Sequence, residues 1–146
     1  MKQVLVTVTG TQCDINGEEH QIKLQALGRC YEKNGVHYVI YEENQSSGMQ
    51  GTITTLKIYP DHVVLLRSGE IEQKLDFYLQ RKTYGQYTTA FGRMQIEVTA
   101  KVLEISPWTG DNPVSVVIHY DLEIDGQWQS MNRLMIVIQE DKQDEH

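Results

Sequence analysis

The chain has 146 residues, enough for one domain with a sizeable core. Its formal charge of −7, with the basic residues scattered, offers nucleic-acid phosphates no electrostatic support. No apolar run approaches the roughly 20 residues of a membrane span, and Met1 to Val6 falls short of the roughly 7–15 apolar residues of a secretory signal, so a soluble cytoplasmic protein that binds neither nucleic acid nor membrane is expected.

Residues 2–12 alternate, with Val4, Val6 and Val8 against Gln3, Thr7 and Thr9, which predicts a half-buried strand. Asn16-Gly17 is a hairpin signal. A second strand over about 20–32 places Ile22, Leu24, Ala26, Gly28 and Cys30 on one face, and its length and interior glycine suggest strong bending. Pairing across the turn with residue sums near 33 sets Cys30 opposite about Gln3 and Cys13 opposite about His20. That is too far apart for a disulfide, and two free thiols fit a reducing compartment.

Asn34-Gly35 is another turn. Strand three, Val36 to Glu43, is read with Val36, Tyr38, Ile40 and Glu42 inward and His37, Val39, Tyr41 and Glu43 outward. A polar loop, 44–51, leads to a strand at 52–59, and Pro60-Asp61 returns the chain into 62–68. Sums of 121 pair Ile58 with Val63, Leu56 with Leu65 and Thr54 with Arg67; the first two pairs are apolar and support the register. Leu75, Phe77 and Leu79 alternate with Asp76, Tyr78 and Gln80, a strand in preference to a helical turn. Gln80 to Gly85 reads as turn, and Tyr87, Thr89 and Phe91 as a short strand ending at Gly92.

Met94, Ile96, Val98, Ala100 and Val102 share a face before the phase slips to Leu103 and Ile105, which predicts a β-bulge near Val102-Leu103. A loop at 106–113 carries Trp108, either a contact residue or a cap on the barrel end. The final hairpin turns at Asp125-Gly126. Sums of 251 would set Arg133 opposite Ile118. Sums of 252, from a longer loop or an added bulge, pair Ile124 with Trp128, Tyr120 with Asn132, Ile118 with Leu134, Val116 with Ile136 and Val114 with Ile138, and this register wins because a one-residue slip exchanges faces. An acidic tail, 140–146, follows a domain of 1–139. About ten strands with short connections indicate an antiparallel barrel or sandwich.

Several polar residues fall on faces read as inward: Glu42, Thr54, Arg67, Tyr87, Thr89, Tyr120, Ser130 and Asn132. A buried arginine needs a carboxylate, and Glu42 is the candidate. Two readings account for the set. One is an internal site in which Arg67 grips the anionic group of a small ligand while Tyr120, Tyr87 and Asn132 orient it. The other is a self-satisfied network. The histidines form no metal constellation. Glu42 and Glu43, as strand neighbours, point to opposite faces and make no acid–base dyad. No phosphate loop, nucleophile elbow or triad spacing is present, so no metal, cofactor or catalytic set is expected. An enzyme using Glu42 or Tyr120 as acid or base has the least support. Asn44-Gln45-Ser46 matches a glycosylation sequon that an unsecreted chain would not use.

In order, Tyr41-Glu42-Glu43, Thr54-Thr55-Leu56-Lys57-Ile58, Arg67-Ser68-Gly69, Tyr87-Thr88-Thr89-Ala90-Phe91-Gly92, Tyr120-Asp121-Leu122 and Asn132-Arg133-Leu134 resemble the YwiB-like family of bacterial proteins of unknown function. The resemblance spans nearly the whole chain. It implies an all-β fold, a single antiparallel calycin-like barrel of about 8–10 strands, similar to lipocalins and fatty-acid-binding proteins, and no established activity. It coincides with the inward polar set at Glu42, Thr54, Arg67, Tyr87, Thr89, Tyr120 and Asn132. The functional expectation is a non-enzymatic barrel that binds a small molecule around Arg67. The alternative is a protein-interaction or homodimerising barrel that uses strand edges and the 106–113 loop.

Overall fold

A computed structural model describes residues 2–44, 49–106 and 114–141. The loop with Trp108, the acidic tail beyond Asp141 and the last two residues of the Asn44-Gln45-Ser46 sequon lie outside the described residues.

Ten strands follow one another: β1 (Lys2–Asp14), β2 (Glu19–Lys33), β3 (Val36–Glu42), β4 (Thr52–Ile58), β5 (His62–Gly69), β6 (Glu72–Tyr78), β7 (Lys82–Thr89), β8 (Gly92–Ser106), β9 (Val114–Ile124) and β10 (Gln127–Glu140). Each pairs antiparallel with its neighbours, and β1 closes on β10 from Val4–Glu140 to Asp14–Ser130. Closure removes the strand edges on which the interaction reading had counted. No helix among the described residues is long and apolar enough to cross a membrane.

The alternation written in the sequence builds the interior. Val4, Val6, Leu24, Leu56, Ile58, Val63, Leu65, Leu75, Phe77, Ile96, Val98, Val116, Ile118, Ile136 and Ile138 are all buried there. The β4–β5 register is the expected one, with Ile58–Val63, Leu56–Leu65 and Thr54–Arg67. So is the main register of the last hairpin, with Tyr120–Asn132, Ile118–Leu134, Val116–Ile136 and Val114–Ile138. There the tight Asp125-Gly126 turn first pairs Gln127, not Trp128, with Ile124. A bulge between Trp128 and Ser130 then supplies the extra residue. In β8 the irregularity lies between Ala100 and Val102, slightly earlier than expected.

Four expectations are corrected. The β1–β2 pairs are Lys2–Cys30, Val4–Gly28 and Cys13–Glu19, one residue from the expected register. Only an even sum sets inward residues opposite inward residues, as the pleat requires. Cys13 and Cys30 are both free. Second, β3 has the opposite phase: Val39 and Tyr41 are buried and Glu42 is exposed. Third, β7 begins at Lys82, inside the segment read as turn. Its inward positions there are Thr83 and Gly85, which carry no apolar signal. Fourth, Leu79 and Phe91 are exposed rather than inward.

The barrel has one weak seam. β6 and β7 pair only at Glu72–Thr88 and Gln73–Tyr87. Further along, the Thr83 hydroxyl donates to the Asp76 carbonyl at 2.6 Å, a side chain standing in for a ladder bond. Gly85 lies so close to β6 that a Cβ would sit 2.3 Å from the Lys74 carbonyl oxygen.

The interior is divided along the barrel axis. Ile58, Val63 and Phe77 form an apolar layer toward the Pro60 turn, and Leu56, Leu65 and Leu75 form the next. Beyond them, toward the end bounded by the β1–β2, β3–β4, β5–β6, β7–β8 and β9–β10 turns, the inward residues become polar.

Candidate functional site

One continuous rung crosses seven strands: Gly28, Tyr41, Thr54, Arg67, Gln73, Tyr87 and Met94, each paired with the next. Directly opposed residues share a face, so the rung presents phenol, hydroxyl, guanidinium, amide and phenol to one interior in sequence. Gly28 lets the strands close on this rung. A Cβ there would lie 2.6 Å from the Ile40 carbonyl oxygen.

The carboxylate of the site is Glu43, not Glu42. With the true phase of β3, Val39 and Tyr41 lead inward to Glu43, which is 4 % exposed. Its backbone N–H donates to the Thr52 carbonyl at 2.8 Å, which extends the β3–β4 ladder just far enough to aim the side chain inward. Glu42 projects from the outer face. The Thr54 hydroxyl, fully buried, donates to Glu43 Oε1 at 2.6 Å. Arg67 Nε lies 3.8 Å from the same oxygen, and Arg67 Nη1 donates to Gln73 Oε1. At 3.8 Å the ion pair is longer than a hydrogen bond.

Three buried polar atoms in this cluster have no hydrogen-bond partner among the described residues: Glu43 Oε2, Thr52 Oγ1 and Arg67 Nε. Buried polar groups are satisfied in the large majority of cases. Here three unsatisfied ones come from neighbouring positions on β4, β5 and the end of β3.

Tyr41, buried, and Tyr120, half-buried, add two phenols. Burial pushes the Tyr41 hydroxyl up, and the Glu43 charge and a hydrogen bond with Glu43 push it further; Arg67 and the hydrogen bond with Thr54 pull it back. Burial also raises Tyr120, again opposed by the Arg67 charge. The Tyr120 ring tilts against Phe77, centroids 4.9 Å apart. Both hydroxyls are therefore held neutral, as hydrogen-bonding groups rather than bases.

The other expected residues divide. Thr54, Arg67 and Tyr87 sit on the rung, and Tyr87 packs against the core. Tyr120 feels the Arg67 charge from across the barrel. Asn132 is buried opposite Tyr120, but its amide donates to Ser130 Oγ at 3.0 Å. Thr89 lies at the β7–β8 turn, where its hydroxyl accepts the Phe91 N–H. Gln73, Tyr41, Glu43 and Thr52 were missed. Extending the Leu75–Phe77 alternation back by two residues would have found Gln73.

Asp14, Glu18 and His20 also come together, on the exposed β1–β2 turn. The Asp14 carboxylate is occupied there, accepting the Asn16 and Glu18 amides at 2.9 and 3.0 Å.

The fold has a solved counterpart in the crystal structure of the ywiB protein from Bacillus subtilis. That structure superposes with a TM-score of 0.82 over 96% of this chain and 92% of the other, at 18% identity. In sequence, the chain is 22% identical over 121 residues to the uncharacterized beta-barrel protein YwiB of Bacillus subtilis (strain 168), covering 83% of this chain and 82% of the relative. The model of the domain of unknown function DUF1934 matches residues 6–136, nearly the whole barrel, and the chain belongs to that family.

Proposed function

We propose that the polar end of the barrel interior is a binding site for a small molecule, centred on Arg67, and that the protein is a binding protein rather than an enzyme. The observation that carries this reading is the cluster of unsatisfied buried atoms, Glu43 Oε2, Thr52 Oγ1 and Arg67 Nε. A network built only to hold the barrel together would consume its own donors and acceptors, because each one left unmade costs roughly 1–3 kcal/mol. A site built to receive a ligand leaves such groups unbonded until the ligand enters. The apolar layers below close the floor, and Arg67, with 17% of its side chain exposed, connects the cluster to solvent. The lipocalin-like architecture that the family resemblance implies would agree with this reading, as an analogy of fold alone.

The test is a small-molecule screen by thermal shift on the wild type and on Arg67→Ala. A compound that raises the Tm of the wild type and not of the variant supports the site. A hit that stabilises both equally places binding elsewhere and refutes the reading.

A second reading, contact with another protein, has one observation in its favour. Leu27, Ile40 and Ile53 line a groove of about 700 Å³ on the outer face of β2–β4, and Leu27 and Ile53 are exposed. Sedimentation over a concentration series decides its homodimeric form: a monomer throughout removes it.

A further inference from the structure

The charge balance of the interior says what kind of molecule fits it. We infer, resting on the site proposed above, that the part of the ligand entering the barrel is uncharged and carries a hydrogen-bond acceptor beside a donor, as a carboxamide or ureide does, and is not an anion.

Arg67 alone would select an anion. It does not stand alone: the Glu43 carboxylate lies 3.8 Å from its Nε, and Glu43 is the more deeply buried of the two, 1% exposed in its side chain against 17% for Arg67. The pair sums to zero charge. An anion that reached Arg67 would place a second negative charge against Glu43 in a poorly hydrated site, and like charges brought together there are strongly disfavoured. An anion that displaced Glu43 would leave a buried carboxylate without its counter-charge, which is equally unfavourable.

The unsatisfied atoms point the same way. Arg67 Nε–H is a donor seeking an acceptor. Glu43 Oε2 is an acceptor seeking a donor, while its partner Oε1 is already engaged by Thr54. Thr52 Oγ1 can serve as either. A carboxylate answers only the donor. A carboxamide answers both, its oxygen toward Arg67 Nε and its N–H toward Glu43 Oε2. Its uncharged state adds no repulsion. Tyr41 and Tyr120, both held neutral, complete a surrounding of dipoles rather than charges.

The experiment uses matched probes: acetamide with acetate, hexanamide with hexanoate, and benzamide with benzoate, at pH 7. Each is titrated into ¹⁵N-labelled full-length protein, and binding is read from the Arg67 Nε–H resonance and the backbone amides of β3–β5. The expected result is that at least one amide binds about tenfold or more tightly than its carboxylate in the wild type. In Glu43→Gln, where the charge is gone and the shape is kept, the preference inverts toward the carboxylate. A carboxylate that binds the wild type as well as or better than its amide overturns this inference and leaves the site standing. No response at Arg67 from any probe in either protein overturns the site and the inference together. If Glu43→Gln does not fold, the wild-type order of amide and carboxylate decides by itself.

Discussion

Consider the loss of Arg67 by Arg67→Met, which keeps an unbranched stem in the barrel and deletes the charge. Glu43 is then a carboxylate with 1% of its side chain exposed, still bonded by the Thr54 hydroxyl and beside the Tyr41 hydroxyl, but with no counter-charge. Breaking a buried pair from one side costs about 3–5 kcal/mol. The 3.8 Å separation, the partial exposure of Arg67 and the surviving Thr54 bond put this case near the lower end, about 3 kcal/mol. For a domain of this size that is a fall in Tm of about 10 °C. Glu43→Leu with Arg67→Met removes both charges, and the double variant should recover to within about 1 kcal/mol of the wild type or exceed it. The assay is urea unfolding followed by tryptophan fluorescence and circular dichroism, compared at constant m. A double variant whose loss equals the sum of the two singles would show that the charges are not coupled. A loss of less than about 1 kcal/mol for Arg67→Met would show that Glu43 is better solvated than its burial implies. Recovery beyond the wild type would mean that the native pair is kept at some expense in stability, as binding sites often are.

Other consequences can be measured directly. Tyr41 and Tyr120 should stay un-ionised past the ordinary phenol value of about 10. Their raised folded values mean that stability is level below about pH 10 and falls as pH rises above it, because the unfolded chain releases protons that the native one retains; ultraviolet difference titration of the wild type against Tyr41→Phe checks this, and a full tyrosine titration before unfolding would contradict it. Gly28→Ala places a methyl 2.6 Å from the backbone oxygen of Ile40 and should cost about 1–3 kcal/mol or more, read from the urea midpoint; an unchanged midpoint would mean that β2 can move off β3 at no cost.

Most of the barrel was legible because period-two alternation and short turns determine both face and register. The β4–β5 and β9–β10 ladders could be paired residue by residue from apolar matches alone. The site was half legible. Thr54, Arg67 and Tyr120 followed from those ladders, and Tyr87 from the alternation of residues 87–91. The carboxylate did not, because both faces of residues 36–43 alternate equally well. Val36, Tyr38 and Ile40 look like a core face, yet on the outside Tyr38 stacks on Tyr31 at 4.7 Å with Lys57 over its ring, and that is what those residues serve. What sets the face of β3 is its lateral pairing, Tyr41 with Thr54 and Val39 with Leu56, across a connection too long to specify register from sequence. The choice between neighbouring glutamates was therefore tertiary information. Gln73 escaped for a smaller reason: the strand was started at Leu75, three residues late.

The seam between β6 and β7 governs how a closed sheet breathes. A barrel with no edge must open somewhere for its interior to exchange with solvent, and the opening of least cost is where the fewest backbone bonds break. Along most of this barrel that means a long ladder. Between Lys74–Tyr78 and Lys82–Gln86 it means little more than the Thr83–Asp76 contact. The amides facing each other there should exchange with deuterium well before those joining β1 to β10, and Thr83→Val should widen the gap. Gln73 and Tyr87, the last backbone pair before the seam parts, belong to the Arg67 rung, so the protection of their amides reports on whether a bound molecule holds the sheet shut.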